Sequence, residues 1–296
     1  MHHHQLSIAA VLCCVIFNHS PAVATSSSIT GRPLNQSTGN DKGLSKEKLS
    51  TIAIAEQLRN QALKIKAKYY DPKSSKLDYT RIGVSNEYKS YLTIVSGLAS
   101  VDLSSLASKE EKISFWINLY NSLLIHGVIE NKIKTSVLDV PYFFKKTNYT
   151  VGGLRFSLDD IEHGILRANR FENSPQKKYF SSNDPKLAFA LSEKEMDPRI
   201  HFALNCGAQS CPPIAFYEAK DLEQQLDAAA KVFIQLQTKL TNGEIYASQL
   251  FEWYSKDFYP APRAFLAKYS TGPVKEALEK NVPIKYTPYD WSLNGR

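Results

Sequence analysis

The chain is 296 residues long, 43% hydrophobic and 22% charged, with a formal net charge of +7. That balance excludes collagen-like, low-complexity and disulfide-dense scaffolds, and it leaves enough apolar material for a sizeable core. Lysines and acids interleave along the chain, so the charge implies a solvated basic surface with at most a weak preference for anionic surfaces. No nucleic-acid-binding motif accompanies it.

Leu6 to Phe17 is an apolar run too short to span a bilayer, and Pro21 is followed by the small-residue pattern Ala22-Val23-Ala24. Residues 1–24 are therefore expected to be a secretory signal peptide, although the region before the run holds three histidines and no Lys or Arg; a retained hydrophobic tail is the competing reading. Removal of the signal takes Cys13 and Cys14 with it. Cys206 and Cys211 are then left in a compartment where disulfides persist, secreted or periplasmic. No later stretch has the length and apolarity of a membrane helix, so the mature chain is expected to be soluble. Residues 25–43, rich in Ser, Thr, Asn and Gly, are expected to be a flexible leader to a globular domain over 44–296. Asn35-Gln36-Ser37 and Asn148-Tyr149-Thr150 are glycosylation sequons, which matter only in a eukaryotic source.

Apolar residues at helical spacing predict a helix from Ser45 to Tyr70, ended by Asp71-Pro72, and a second from Asn86 to Leu98. Ser108 precedes "KEEKISFWINLYNSLLIHGVIEN", predicted as a long, largely buried helix with Glu110 and Glu111 in its first turn. Asn118, Ser122 and His126 recur along it at i, i+4 spacing, with Asn121 near the same face. The favoured reading is that these buried groups satisfy neighbouring backbone. The alternative makes Asn118, Asn121 and His126 the floor of a pocket.

"FFKKTNYTVGGLRFSL" alternates around Gly152-Gly153 as a hairpin would. Ser157 and Asp160 form a start signal for a helix carrying Glu162, His163 and Arg167, a trio expected to make a solvent-facing salt bridge. Arg199 to Asn205 alternates like a strand, with His201, Ala203 and Asn205 opposite Ile200, Phe202 and Leu204. Gly207 breaks it, and Cys211-Pro212-Pro213 is expected to open the next helix. Further helices are predicted at 221–240, around 248–258 and near 272–280. These elements describe a mainly helical, single-domain α+β fold with a small sheet or hairpin.

The segments "FWINLYNSLLIHGV", "SLDDIEHGILR", "DPRIHFALNCGAQSCPPI", "LFEWYSKDF" and "YDWSLN" resemble, in order, the motifs of the DUF547 family from Leu77 to Asn294. Ser122 departs from the pattern, where Ala is expected. The resemblance implies a domain of unknown function, exported in many bacterial members and fused to a leucine zipper in plant ones; no zipper-like heptad run occurs in this chain.

His201-x4-Cys206-x4-Cys211 carries the chemistry and has three readings. In a papain-like thiol hydrolase or transferase, Cys206 or Cys211 is the nucleophile and His201 or His163 the base. Glu162, Asn205 or Gln209 then orients the base or donates to an oxyanion. Cys211 is the better nucleophile if a helix starts at the prolines, because unpaired amides there favour a thiolate. In the second and favoured reading a Cys206–Cys211 disulfide pins Gly207 to Ser210 as the rim of a binding or interaction domain whose partner the sequence leaves unknown. The weakest makes His201, Cys206 and Cys211 zinc ligands with Glu162 or His163 as the fourth, a spacing that fits no familiar finger. No nucleotide or cofactor motif is present, and no cofactor is expected. Asp257 and Asp290 are candidates to orient a distant histidine, with a cap or turn role as the alternative. Trp116, Trp253 and Trp291 are expected in the core.

Overall fold

The structure is a computed structural model that describes residues 31–36, 50–171 and 174–296. The expected signal peptide lies outside the described residues, as does most of the expected leader. Residues 31–36 lie inside that leader. There Asn35 is buried, with its side-chain amide donating to Val95 O and Thr150 O and its carbonyl accepting from Thr150 N.

Ser50 accepts the amide of Ala53 and opens α1, Thr51–Tyr69. Ser85 does the same through Tyr88 for α2, Asn86–Ser96. α3, Lys109–Glu130, starts with a complete capping box in which Ser108 and Glu111 satisfy each other's backbone amides. From Ile113 to Val128 every residue of α3 is buried, so its polar groups need partners inside the protein. α1 packs on α2 and α3, and the antiparallel pair β1 (Asn148–Val151) and β2 (Leu154–Ser157) closes the first core. The hairpin keeps the predicted turn, while Phe143–Lys146 before it is a single helical turn.

Ser157 and Asp160 exchange the predicted capping bonds, at 3.0 and 3.1 Å. The chain then widens into a π-helix, Asp160–Leu166, in which the Arg167 amide reaches back five residues to Glu162 O.

A second core gathers around α4 (Leu222–Gln237), β3 (Lys239–Thr241), β4 (Glu244–Ser248), α5 (Pro262–Tyr269), α6 (Gly272–Glu279) and β5 (Ile284–Thr287). β3 runs antiparallel and β5 parallel to β4, with α5 and α6 lying in the long crossover between β4 and β5. α5 is absent from the sequence reading. Between 248 and 258 only Leu250–Trp253 is helical.

The strand expected at Arg199–Asn205 is a 3-10 helix, Pro198–Phe202. Asp197 caps it by accepting the Arg199 amide, and Pro198 supplies the preset first position. The apolar alternation arises because Ile200 and Leu204 pack in the first core and Phe202 in the second. A sheet face is not its cause. Cys211-Pro212-Pro213 opens no helix either: the chain runs without one until a 3-10 turn at Ala219–Asp221 leads into α4. It is held extended by α3. Asn118 donates to Tyr217 O and accepts from Tyr217 N, both at 2.7 Å. Asn121 donates to Ala203 O and Ala215 O and accepts from Asn205 N, each at 2.9 Å.

Both sequon asparagines are buried with their amide nitrogens engaged, Asn148 donating to Gly31 O and Lys146 O. Replacing Asn121 with Ala strands one buried and one half-buried carbonyl and a buried amide. The expected loss is about 3 kcal/mol, given roughly 1–3 kcal/mol for an unsatisfied buried group. Denaturant unfolding of Asn121→Ala checks it, and an unchanged midpoint would sink the assignment.

Candidate functional site

The segment from Pro198 to Ala208 is the seam between the two cores, and the polar side chains predicted from sequence divide around it. Asp257 is at the centre, on the turn after Leu250–Trp253, with a side chain sealed from solvent. Its Oδ2 accepts from Arg167 Nε at 2.6 Å and from His201 Nε2 at 2.9 Å, and its Oδ1 from Arg170 Nη1 at 3.0 Å. Arg167, expected in a solvent-facing bridge, is 1% exposed, because its partner comes from a distant segment and the π-helix turns it inward. Burial raises the Asp257 carboxyl, but the bonds and charges of His201 and Arg167 outweigh it and hold the group well below the ordinary carboxylate range. A carboxylate only accepts, so the His201 proton sits on Nε2.

A second layer covers this one. The Tyr254 ring stacks on His201 with centroids 4.0 Å apart and carries the Arg167 guanidinium 4.7 Å from its centre. Its hydroxyl donates to Glu162 Oε1 at 2.6 Å, and Tyr120 donates to Oε2 at 3.3 Å. Burial raises the Glu162 carboxyl, yet His163, the Tyr254 hydroxyl, His201 and Arg167 together bring it below its usual value. Burial lowers the His163 ring to about 4, with Arg167 acting in the same direction and Glu162 opposing. Arg167 Nη1 donates to His163 Nδ1 at 2.8 Å, so His163 carries its proton on Nε2.

The cysteines form a third layer. Cys206 and Cys211 are joined by a disulfide. Cys211 Sγ accepts the amides of Cys206 at 3.1 Å and Ala208 at 3.3 Å. The buried Tyr289 hydroxyl lies 3.2 Å from each sulfur. Gly207 has φ +82°, and a Cβ there would stand 3.0 Å from Val137, so the turn requires glycine. Asn205 ties the loop together, accepting from Gly207 N and Asn294 Nδ2 and donating to Pro212 O. Gln209 is anchored by its backbone amide on Ser292 O at 2.7 Å.

Among the described residues no histidine nitrogen bonds to either sulfur, and no group of three or more His, Cys, Asp or Glu side chains is arranged around a metal position. Asn118 and Asn121 serve backbone, as described above. His126 bonds through Nδ1 to the Tyr149 hydroxyl on β1 at 2.7 Å, away from the cysteine loop. Trp116 is in the first core, as expected, whereas Trp253 and Trp291 are half-buried and stack with Tyr289 beside the disulfide. Tyr120, Arg170, Tyr254, Tyr289 and Asn294 are contributors the sequence reading did not single out. All but Arg170 lie within the quoted segments "FWINLYNSLLIHGV", "LFEWYSKDF" and "YDWSLN", which is their one sequence signal.

Residues 103–234 match the family model described as "Protein of unknown function, DUF547". This segment is a DUF547 domain. No curated protein and no solved structure matches the chain. The matched span of the DUF547 domain supplies Glu162, His163, Arg167, His201 and both cysteines, while Tyr254, Asp257 and Tyr289 come from beyond it.

Two hollows lie elsewhere. A groove of about 590 Å³ runs past Asn169, Phe180 and Leu191, and another of about 250 Å³ lies between Arg59, Asn118 and Tyr217. Neither is lined by Glu162, His163, His201 or a cysteine.

Asp257→Asn leaves two guanidinium groups facing a neutral amide in a buried site, and is expected to cost about 3–5 kcal/mol; calorimetry checks it, and a loss under 1 kcal/mol would contradict the buried charge knot. Burial also lowers His126 to about 4. His126 and His163 are thus neutral in the folded chain where an unfolded histidine, at about 6.5, takes up a proton. Their contribution is full above about pH 6.5 and declines as the pH falls towards about 4, then levels off. Tm followed by circular dichroism should drop over that window, and a flat profile would refute it.

Proposed function

We propose that the chain is an exported interaction domain whose binding surface is the half-exposed seam formed by the Cys206–Cys211 loop with Trp253 and Trp291. In this reading the Asp257 and Glu162 layers beneath are support, holding the loop and the aromatic rings in a fixed arrangement. The observation that carries the reading is that both sulfurs are joined in the Cys206–Cys211 disulfide and that, among the described residues, neither His201 nor His163 bonds to them, their ring bonds going to Asp257 and Arg167. Pinning a loop in advance lowers the ordering cost of binding. Export rests on the apolar run and Ala22-Val23-Ala24.

The papain-like alternative keeps one point in its favour, the amides of Cys206 and Ala208 directed at Cys211 Sγ. Protein secreted by its own leader should begin at Thr25 and leave both thiols unlabelled by iodoacetamide until reductant is added. Label on a thiol before reduction, or turnover of a p-nitrophenyl ester that Cys211→Ser abolishes, would instead establish the thiol enzyme.

A further inference from the structure

The loop that holds the disulfide is fixed many times over without it. Asn205 makes four hydrogen bonds in the loop's base, to Asn121, Gly207, Pro212 and Asn294. Asn294 N donates to Gly207 O at 2.9 Å, and Ser210 exchanges bonds with Asp290 through its amide, 3.2 Å, and its hydroxyl, 2.9 Å. The bridge itself closes a separation of only five residues, which removes little chain entropy. Reduction should therefore leave the fold in place, and the chemistry of the sulfurs becomes the more informative property.

That chemistry is asymmetric. Two backbone amides converge on Cys211 Sγ, and none is directed at Cys206 Sγ; the Tyr289 hydroxyl lies within reach of both. Hydrogen-bond donors stabilise a thiolate, and the sulfur with the more stable thiolate is the better leaving group in exchange. Both cysteines are partly exposed.

We propose that Cys206 and Cys211 are a reversible thiol–disulfide exchange site for a protein dithiol, with Cys206 Sγ the sulfur attacked and Cys211 Sγ the leaving thiolate. One thiolate of the dithiol attacks Cys206 Sγ; the Cys206–Cys211 bond breaks and its electron pair leaves on Cys211. A mixed disulfide now joins Cys206 to the dithiol protein. The second thiolate of that protein attacks its own bonded sulfur, closes its disulfide and releases Cys206, which takes up a proton. Two electrons pass from the dithiol to this chain, and the reverse sequence reoxidises it. The site stands on the sulfur environment alone and holds whether or not the seam binds a partner.

The test uses the full oxidised chain and a Cys-x-x-Cys protein whose second cysteine is replaced by serine, so that the mixed disulfide is trapped. Peptide mass spectrometry should place the adduct on Cys206. In the fully reduced chain at pH 7, Cys211 should react with iodoacetamide roughly tenfold faster than Cys206, as a thiolate-stabilised thiol does beside an ordinary one. Tyr289→Phe, which removes a hydroxyl 3.2 Å from both sulfurs, should leave Cys211 the faster of the two. An adduct on Cys211, the absence of any adduct, equal alkylation rates, or loss of the native circular dichroism on reduction would each overturn the proposal. The first two readouts need only the wild-type chain, so a Tyr289→Phe variant that fails to fold leaves them decisive.

Discussion

Asp257 is the constraint on which the centre of the molecule turns. Its carboxylate draws Arg167 and Arg170 from the segment after the π-helix and His201 from the 3-10 helix, across separations of 90, 87 and 56 residues. Buried ion pairs of this kind add little net stability over apolar packing of equal volume, whereas losing one partner is costly. Their effect is therefore on register. With Asp257 in place, the π-helix, the seam segment and the turn after Leu250–Trp253 have one mutual arrangement, and Tyr254 is carried onto His201 and Glu162.

α3 acts on the same segment from the other side. A helix buried from Ile113 to Val128 has no solvent to satisfy polar side chains there, and Asn118 and Asn121 use that condition to hold the chain on either side of the cysteine loop. Residues 203–205 and 215–217 are thus fixed by side-chain amides, while the loop between them pairs through its backbone with residues 290–294. This is why two prolines are tolerated there: Pro212 and Pro213 have no amide to offer, and only Pro212 O is called on, by Asn205.

What could be read from sequence follows the range of the forces involved. The Ser108 and Ser157 caps, the long third helix and the Gly152-Gly153 hairpin depend on residues within a few positions of each other, and each was legible. The 3-10 helix at Pro198–Phe202 was misread because alternation normally reports one buried sheet face, and here it reports two cores reached from opposite sides of one segment. Asp197-Pro198 was the local signal against a strand. The burial of Arg167 had no local signal, since Asp257 and Arg167 become neighbours only when the fold closes. Asp257 was visible as an orienting candidate for a histidine but not as the partner of two arginines.

The clamp on the cysteine loop has a consequence for biosynthesis. Tyr289 and Asn294 follow their loop partners by 78 and 89 residues. A chain made from its amino terminus therefore presents Cys206 and Cys211 to its surroundings well before the segment that covers them exists. Their pairing and the amides directed at Cys211 are local and available early; the Tyr289 hydroxyl and the Asn294 bonds that fix the loop come only with the residues after the last strand.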